Sequence, residues 1–327
     1  MAHLDPDARS TTRSIVLGIA LGVGYGLFFR LMASPGNNGF IGPMSLTFLA
    51  LVPFGMGFAT VFPNKTPSLM EAIFLPWLGC GISTVITMVI GWEGAICVAM
   101  LAPLMLVASS VGGLIAYFAR RASRGGAAAA ILFVPFATGP LERRVEAPID
   151  VRRVATSIEI DASPDVVWSQ IESVPEIRPE EEPFALYRAM GFPRPLSAVI
   201  DRPGVGGVRQ ARFEGGVLFL EVVTDWQPGR RLAFTIDAQE HLIPPTTLDE
   251  HVTIGGPYFD VLTGTYEIEA RADGRVVLHL ASEMRVSTTF NLYAGWWADR
   301  VMASIQDHIL GLVKARSERI AAAARER

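Results

Sequence analysis

The sequence predicts an α-helical membrane bundle of four to five transmembrane helices, followed by an α+β domain in which a curved antiparallel sheet surrounds a long C-terminal helix. Three observations predict it. Residues 1–141 hold long apolar runs nearly free of charge. From residue 154 the pattern changes to short alternating segments separated by Gly and Pro turns. The chain then closes on an amphipathic run of helical period. With 327 residues, 50% of them hydrophobic and 18% charged, the composition is too apolar for a single water-soluble globule and long enough for two domains.

A bilayer core takes about 20 apolar helical residues to cross. Ser14–Ala33, Met44–Phe62, Leu69–Gly91 and Gly94–Phe118 meet or approach that length and are read as spans, the first as a retained span rather than a cleaved leader. Arg30, near the end of the first, is expected to snorkel to the interface. A fifth segment, Ala127–Leu141, would extend only about 22 Å as a helix. Arg9, Arg13, Lys65 and the Arg120, Arg121 and Arg124 cluster all fall on one side of a four-span arrangement, which the positive-inside rule makes cytoplasmic. If the fifth segment crosses, the C-terminal domain is extracytoplasmic; if it lies in the interface, the domain is cytoplasmic. The crossing is the expectation, in a bacterial-type inner membrane with the N-terminus cytoplasmic. Gly18, Gly22 and Gly26 recur every fourth residue and predict a groove for close helix packing. A nucleotide loop is excluded there, because no strand precedes the glycines and no basic residue follows.

Residues 142–153 read as a linker. Val154–Ile160 alternates as a strand, and Ser163-Pro164-Asp165 opens a short helix reaching about Glu172, with Ser163 as its cap. After a proline-rich stretch with a second short helix near Phe184–Met190, six strands are expected: Ser197–Asp201, Gly207–Phe213, Val217–Trp226, Arg231–Asp237, Tyr258–Ala270 and Val276–Ser287. A long helix begins near Asn291, with Trp297, Val301, Ile305, Ile309 and Val313 on one stripe.

One strand, two short helices, a meander and a terminal helix make a helix-grip arrangement, with a cavity between sheet and helix. The run Ile158-Glu-Ile-Asp-Ala-Ser-Pro-Asp-Val-Val-Trp168, the later Trp226-Gln-Pro-Gly229 and the terminal amphipathic helix resemble the SRPBCC superfamily of START, Bet v 1 and polyketide cyclase proteins. The resemblance covers Val154 to Lys314 and implies the fold. That superfamily includes lipid carriers, hormone receptors and cyclases, so no ligand is implied, and no catalytic residue carries over.

The C-terminal part holds 21 basic and 28 acidic residues of the chain's 28 and 32, which argues against nucleic acid as a partner. Both cysteines, Cys80 and Cys97, lie in apolar runs. Nucleophile-elbow, paired-histidine, phosphate-loop and kinase patterns are absent, so no metal or cofactor is expected. The catalytic candidates are Glu181, in an acidic loop at the cavity mouth; Glu221, on a strand apolar on both faces and paired with Arg209, Arg212 or Arg285; and His251, in the long loop beside Asp249 and Glu250. Arg212, Tyr266, Tyr293 and Trp297 are the ligand-binding candidates. Tyr266 places a hydroxyl in an oily pocket, and the two aromatics open the last helix, where pocket, core or membrane interface are all open to them. Glu221 and the solvated alternatives for Glu181 and His251 leave structural roles open as well.

Three functions compete on these grounds. The first is a membrane-anchored module binding an apolar small molecule or lipid, such as an isoprenoid, with the lipid bilayer as its other partner. The second is a polyketide cyclase-like enzyme with acid–base residues in the cavity. The third is an assembly or interaction protein.

Overall fold

The computed structural model describes residues 6–33, 39–122, 125–181, 185–239 and 254–326. The chain divides into two compact units, Met1–Ala147 and Pro148–Arg327.

In the N-terminal unit, α1 spans Pro6–Met32, α2 Val52–Val61, α3 Leu69–Val89 and α4 Ala95–Arg121, followed by the short α5 (Gly125–Ala128) and α6 (Val134–Glu142). Among the described residues, three helices are long and apolar enough to cross a membrane: Thr12–Met32, Leu69–Val89 and Ala95–Arg121. That is fewer than the four to five expected. The segment read as a second span is five residues of π-helix, Thr47–Leu51, running into the ten of α2. At about 1.5 Å per residue this is too short for a bilayer core of about 30 Å. Its apolarity has another origin, since α2 is buried at every position but Phe54 and packs against α1, α3 and α4. The fifth segment is broken by a 3-10 turn at Ala129–Phe133, and Pro135 opens the nine-residue α6. By contrast α3 leaves Met70, Leu78, Val85 and Val89 exposed, a surface that suits hydrocarbon rather than water.

The glycine groove forms as expected. A Cβ on Gly18 would lie 2.0 Å from the Thr60 carbonyl oxygen, and one on Gly22 2.1 Å from the Thr60 hydroxyl, so α1 meets α2 at backbone distance. Arg30 does not snorkel. It is buried, and its Nε donates to Glu93 at 2.5 Å while Nη2 donates to the Trp92 carbonyl at 2.6 Å. Both residues of the pair line a cavity of about 380 Å³ among α1 to α4. α3 starts on a capping box in which Ser68 and Glu71 satisfy each other's backbone amides, at 3.2 and 2.7 Å.

The C-terminal unit is a seven-stranded antiparallel sheet in the order β1-β7-β6-β5-β4-β3-β2. Its strands are β1 (Asp150–Ile160), β2 (Pro195–Ile200), β3 (Val208–Phe213), β4 (Leu218–Gln227), β5 (Arg231–Ala238), β6 (Phe259–Ala270) and β7 (Val276–Val286). The expected linker is therefore partly strand: Asp150–Arg153 already pairs with Val286–Glu283 of β7. Helices α7 (Pro164–Glu172) and α8 (Leu186–Ala189) follow β1, and α9 (Asn291–Arg325) ends the chain. This is the helix-grip arrangement, with α9 lying on β1, β7 and α7. Gln306 fastens it there: its amide donates to the Val154 carbonyl at 3.1 Å and to Ser282 Oγ at 3.0 Å, and its oxygen accepts from Thr156 at 3.2 Å. Beyond β2, Val174 exchanges backbone hydrogen bonds with Ala198 at 2.6 and 2.7 Å, covering an edge that would otherwise be open.

Two bulges reset which side chains face inward. On β4 the register shifts between Val223 and Asp225. Strict alternation would set Trp226 opposite Val223, but the extra residue brings Trp226 to the core, edge-on to Trp168 at 5.1 Å. On β6 the shift between Val261 and Thr263 makes Val261, rather than Leu262, share the inner face with Tyr266.

Candidate functional site

Between the inner face of the sheet and α9 lies a cavity of about 160 Å³. Phe219 of β4, Phe234 of β5, Tyr266 of β6 and Leu280 of β7 form the sheet wall; Ile305, Ile309 and Leu312 form the helix wall; Val174, Tyr187 and Phe192 close the side nearest α8. Gly264 is required here, because a Cβ would sit 2.5 Å from the Phe234 ring that lies over it.

The cavity is mostly apolar, and its polar groups are few and specific. Arg209 and Glu221 occupy opposed positions on β3 and β4 and form an ion pair, at 5% and 7% exposure. The Arg209 guanidinium also lies over the Phe234 ring at 5.6 Å and interacts with the buried Tyr266 phenol. Burial pushes the Glu221 carboxyl above the usual carboxylate range, against the opposing pull of Arg209. Across from them, on α9, His308 is 4% exposed with its ring edge-on to Tyr187 at 5.5 Å. Neither of its ring nitrogens has a hydrogen-bond partner among the described residues. Burial, and secondarily the charge of Arg188, pushes the imidazole below its ordinary value, so it is neutral at pH 7.

Of the residues singled out from sequence, Glu221 and Tyr266 line this cavity together. Glu181 is not among its lining residues. It sits on a 3-10 turn, Pro179–Glu181, where its carboxylate accepts from Arg316 Nε at 3.1 Å and Nη2 at 2.5 Å. Arg316 accordingly holds the Glu181 carboxyl below the usual range. Arg212 is exposed and bonds Gln210 on the outer face of β3. Tyr293 and Trp297 are half-buried on the first turns of α9, away from the cavity lining, with Trp297 edge-on to Trp296 at 4.9 Å. His251 lies outside the described residues. His308 and Gln306 were missed. Yet Ile305, His308, Ile309 and Leu312 follow the i, i+3, i+4, i+7 spacing of one helix face, so a histidine inside an apolar stripe was visible in the sequence. Among the described residues, no three His, Cys, Asp or Glu side chains gather in a way that could hold a metal ion.

No protein-family profile and no curated protein matches the chain. Solved structures do. The chain is similar to a START superfamily protein from Mycobacterium smegmatis, at 13% identity over 51% of this chain and 98% of that one, with a TM-score of 0.34. It is similar to the Zhui aromatase/cyclase from Streptomyces sp. R1128 at 15% identity, over 53% of this chain and 98% of that one, with a TM-score of 0.34. Norcoclaurine synthase from Thalictrum flavum matches at 17% identity, over 52% of this chain and 97% of that one, with a TM-score of 0.31.

Proposed function

We propose that the C-terminal domain is a binding module for a small, mostly apolar molecule, held at a membrane by the N-terminal helices. The observation that carries this reading is the cavity under α9, apolar on every wall and interrupted only by a few buried polar groups. Pockets of that make-up are the usual form of ligand sites, the polar groups fixing orientation while burial supplies affinity. Its size restricts the occupant. A cavity of about 150 Å³ accommodates benzene, so about 160 Å³ suits a single substituted ring or the end of a longer chain rather than a whole lipid. A membrane tether raises the local concentration of any ligand that partitions into lipid.

Charge at the two ends of α2 bears on which way the bundle faces. Arg120 bonds the Phe62 carbonyl at one end of α2, at 2.6 Å. Glu142 accepts from the Leu46 and Thr47 amides at the other, at 2.7 and 2.8 Å. The basic residues Arg13, Lys65, Arg120 and Arg121 support a cytoplasmic N-terminus; an extracytoplasmic C-terminal domain requires in addition that Thr47–Val61 and Ala129–Glu142, both shorter than a full span, carry the chain across.

The full chain in lipid nanodiscs, extracted and compared with empty nanodiscs by mass spectrometry, should yield a small apolar molecule in stoichiometric amount or bind one saturably on titration. Neither retention nor saturable binding of any ring-sized probe would end this reading. A second reading, proton-transfer catalysis of the cyclase type, is favoured by one observation: Glu221, raised by burial, faces the cavity beside Tyr266. It requires turnover that Glu221→Gln abolishes while binding persists.

A further inference from the structure

We infer that His308 recognises a hydroxyl group on the cavity's ligand, which makes that ligand a compact amphipathic molecule rather than a plain hydrocarbon. This rests on the reading of the cavity as a ligand site. His308 is in the middle of α9, 4% exposed, and lines the cavity. Among the described α9 residues that line the cavity, His308 has both ring nitrogens unpartnered, whereas the other polar member, Gln306, satisfies both ends of its amide through Val154, Ser282 and Thr156. An imidazole buried without partners costs free energy that a Phe or Leu of the same volume would not, and the Tyr187 ring edge returns none of it as a hydrogen bond. The open space that His308 borders is the cavity.

A neutral imidazole offers one N–H donor and one lone-pair acceptor. A hydroxyl is the smallest group that can meet either of them, accepting from the donor or donating to the acceptor. A carboxylate is disfavoured, because it would place a second negative charge beside Glu221, and Arg209, the cation among the described lining residues, already has its charge matched by Glu221 although its Nε is unpartnered. The apolar remainder of such a ligand lies against Phe219, Phe234 and Ile309.

The test uses 4-fluorophenol and fluorobenzene, two ring-sized probes that differ by the hydroxyl, titrated by fluorine NMR against the full chain in nanodiscs with empty nanodiscs as the partition reference. The measured quantity is the ratio of the two affinities in the wild type and in His308→Phe. His308→Phe should keep or strengthen fluorobenzene binding and lower the phenol-to-benzene ratio by roughly three- to tenfold, the worth of one hydrogen bond. His308→Gln, which keeps a donor and an acceptor, should retain part of the ratio. An unchanged ratio in His308→Phe overturns the assignment while leaving the cavity as a ligand site, with Arg209→Met locating the alternative partner. Binding of neither probe to the wild type overturns the cavity reading itself, and this inference with it.

Discussion

Arg209 and Glu221 face each other directly across the β3–β4 ladder, and their ion pair is closed off from solvent inside the wall of the cavity. Such a pair is costly to bury and more costly to break. Glu221→Ala should destabilise the C-terminal domain by about 3–5 kcal/mol, because it leaves the guanidinium buried without its counter-charge. The double replacement Arg209→Met with Glu221→Leu should cost less than either single change. Thermal unfolding of the full chain in nanodiscs, followed by tryptophan fluorescence, gives the cycle; additive single effects would show that the two residues are not coupled.

His308 sets the opposite pH dependence from a histidine paired with a carboxylate. Its folded value is lowered from 6.5 by burial, so between that lowered value and 6.5 the unfolded chain binds a proton that the folded chain does not. The wild type should therefore be at full strength above about pH 7, lose stability as pH falls through about 6.5, and level off below the folded value. His308→Phe removes this slope and, by replacing two unpartnered nitrogens with carbon, should raise stability at pH 5 more than at pH 8. Denaturation midpoints of the two proteins at pH 5, 6, 7 and 8 decide it. Parallel curves would mean that the imidazole is solvated in the folded state.

Most strands were legible because their alternation and their turn glycines are local signals: Gly229 and Gly274 adopt the left-handed backbone their turns need, at φ of 69° and 85°. The cavity lining was legible only in part, since the bulges at Thr224 and Leu262 insert one residue each and exchange the faces of everything beyond them. Alternation places Leu262 with Tyr266, and only the ladder shows that Val261 takes that place. The second apolar run failed as a span for a different reason: hydropathy does not distinguish a helix facing lipid from one enclosed by three others, and α2 is the latter. Glu181 looked like a cavity carboxylate because its partner Arg316 is 135 positions away and no local pattern joins them.

The packing of α2 gives the N-terminal unit its most sensitive positions. A Cβ on Gly112 of α4 would lie 1.8 Å from the Phe54 carbonyl oxygen, and one on Gly57 of α2 1.8 Å from that of Ser109. These are contacts with backbone, which cannot swing aside. Gly112→Ala should separate the two helices and shift detergent-induced unfolding to milder conditions, and Gly112→Leu should abolish folded yield. Gly24 of α1, whose Cβ would meet nothing within 4 Å, is the control that tolerates alanine. Equal tolerance at Gly112 and Gly24 would refute the close α2–α4 approach.

Glu181 and Arg316 fasten the turn before α8 to the C-terminal half of α9, with side chains 14% and 16% exposed. The folded carboxyl lies below its ordinary value of 4.5, chiefly through the Arg316 hydrogen bonds, so the contribution is complete above that value and lost as pH falls through the lower, folded one. Glu181→Gln keeps the shape but not the charge, and should cost about 2 kcal/mol at pH 7. The difference from wild type should shrink as pH drops below about 4.5, where the unfolded chain takes up the proton first. Asp161, paired with Arg325 on the open surface, is the contrast: Asp161→Asn should move the midpoint little at any pH, because solvent screens an exposed pair. Urea denaturation of both variants at pH 7 and pH 3.5 separates the cases. If Glu181→Gln tracks the wild type at pH 7, the Arg316 contact is formed at no net gain, and α9 is held to the domain by its apolar face, Gln306 and its other polar contacts such as Asp299 with Arg152.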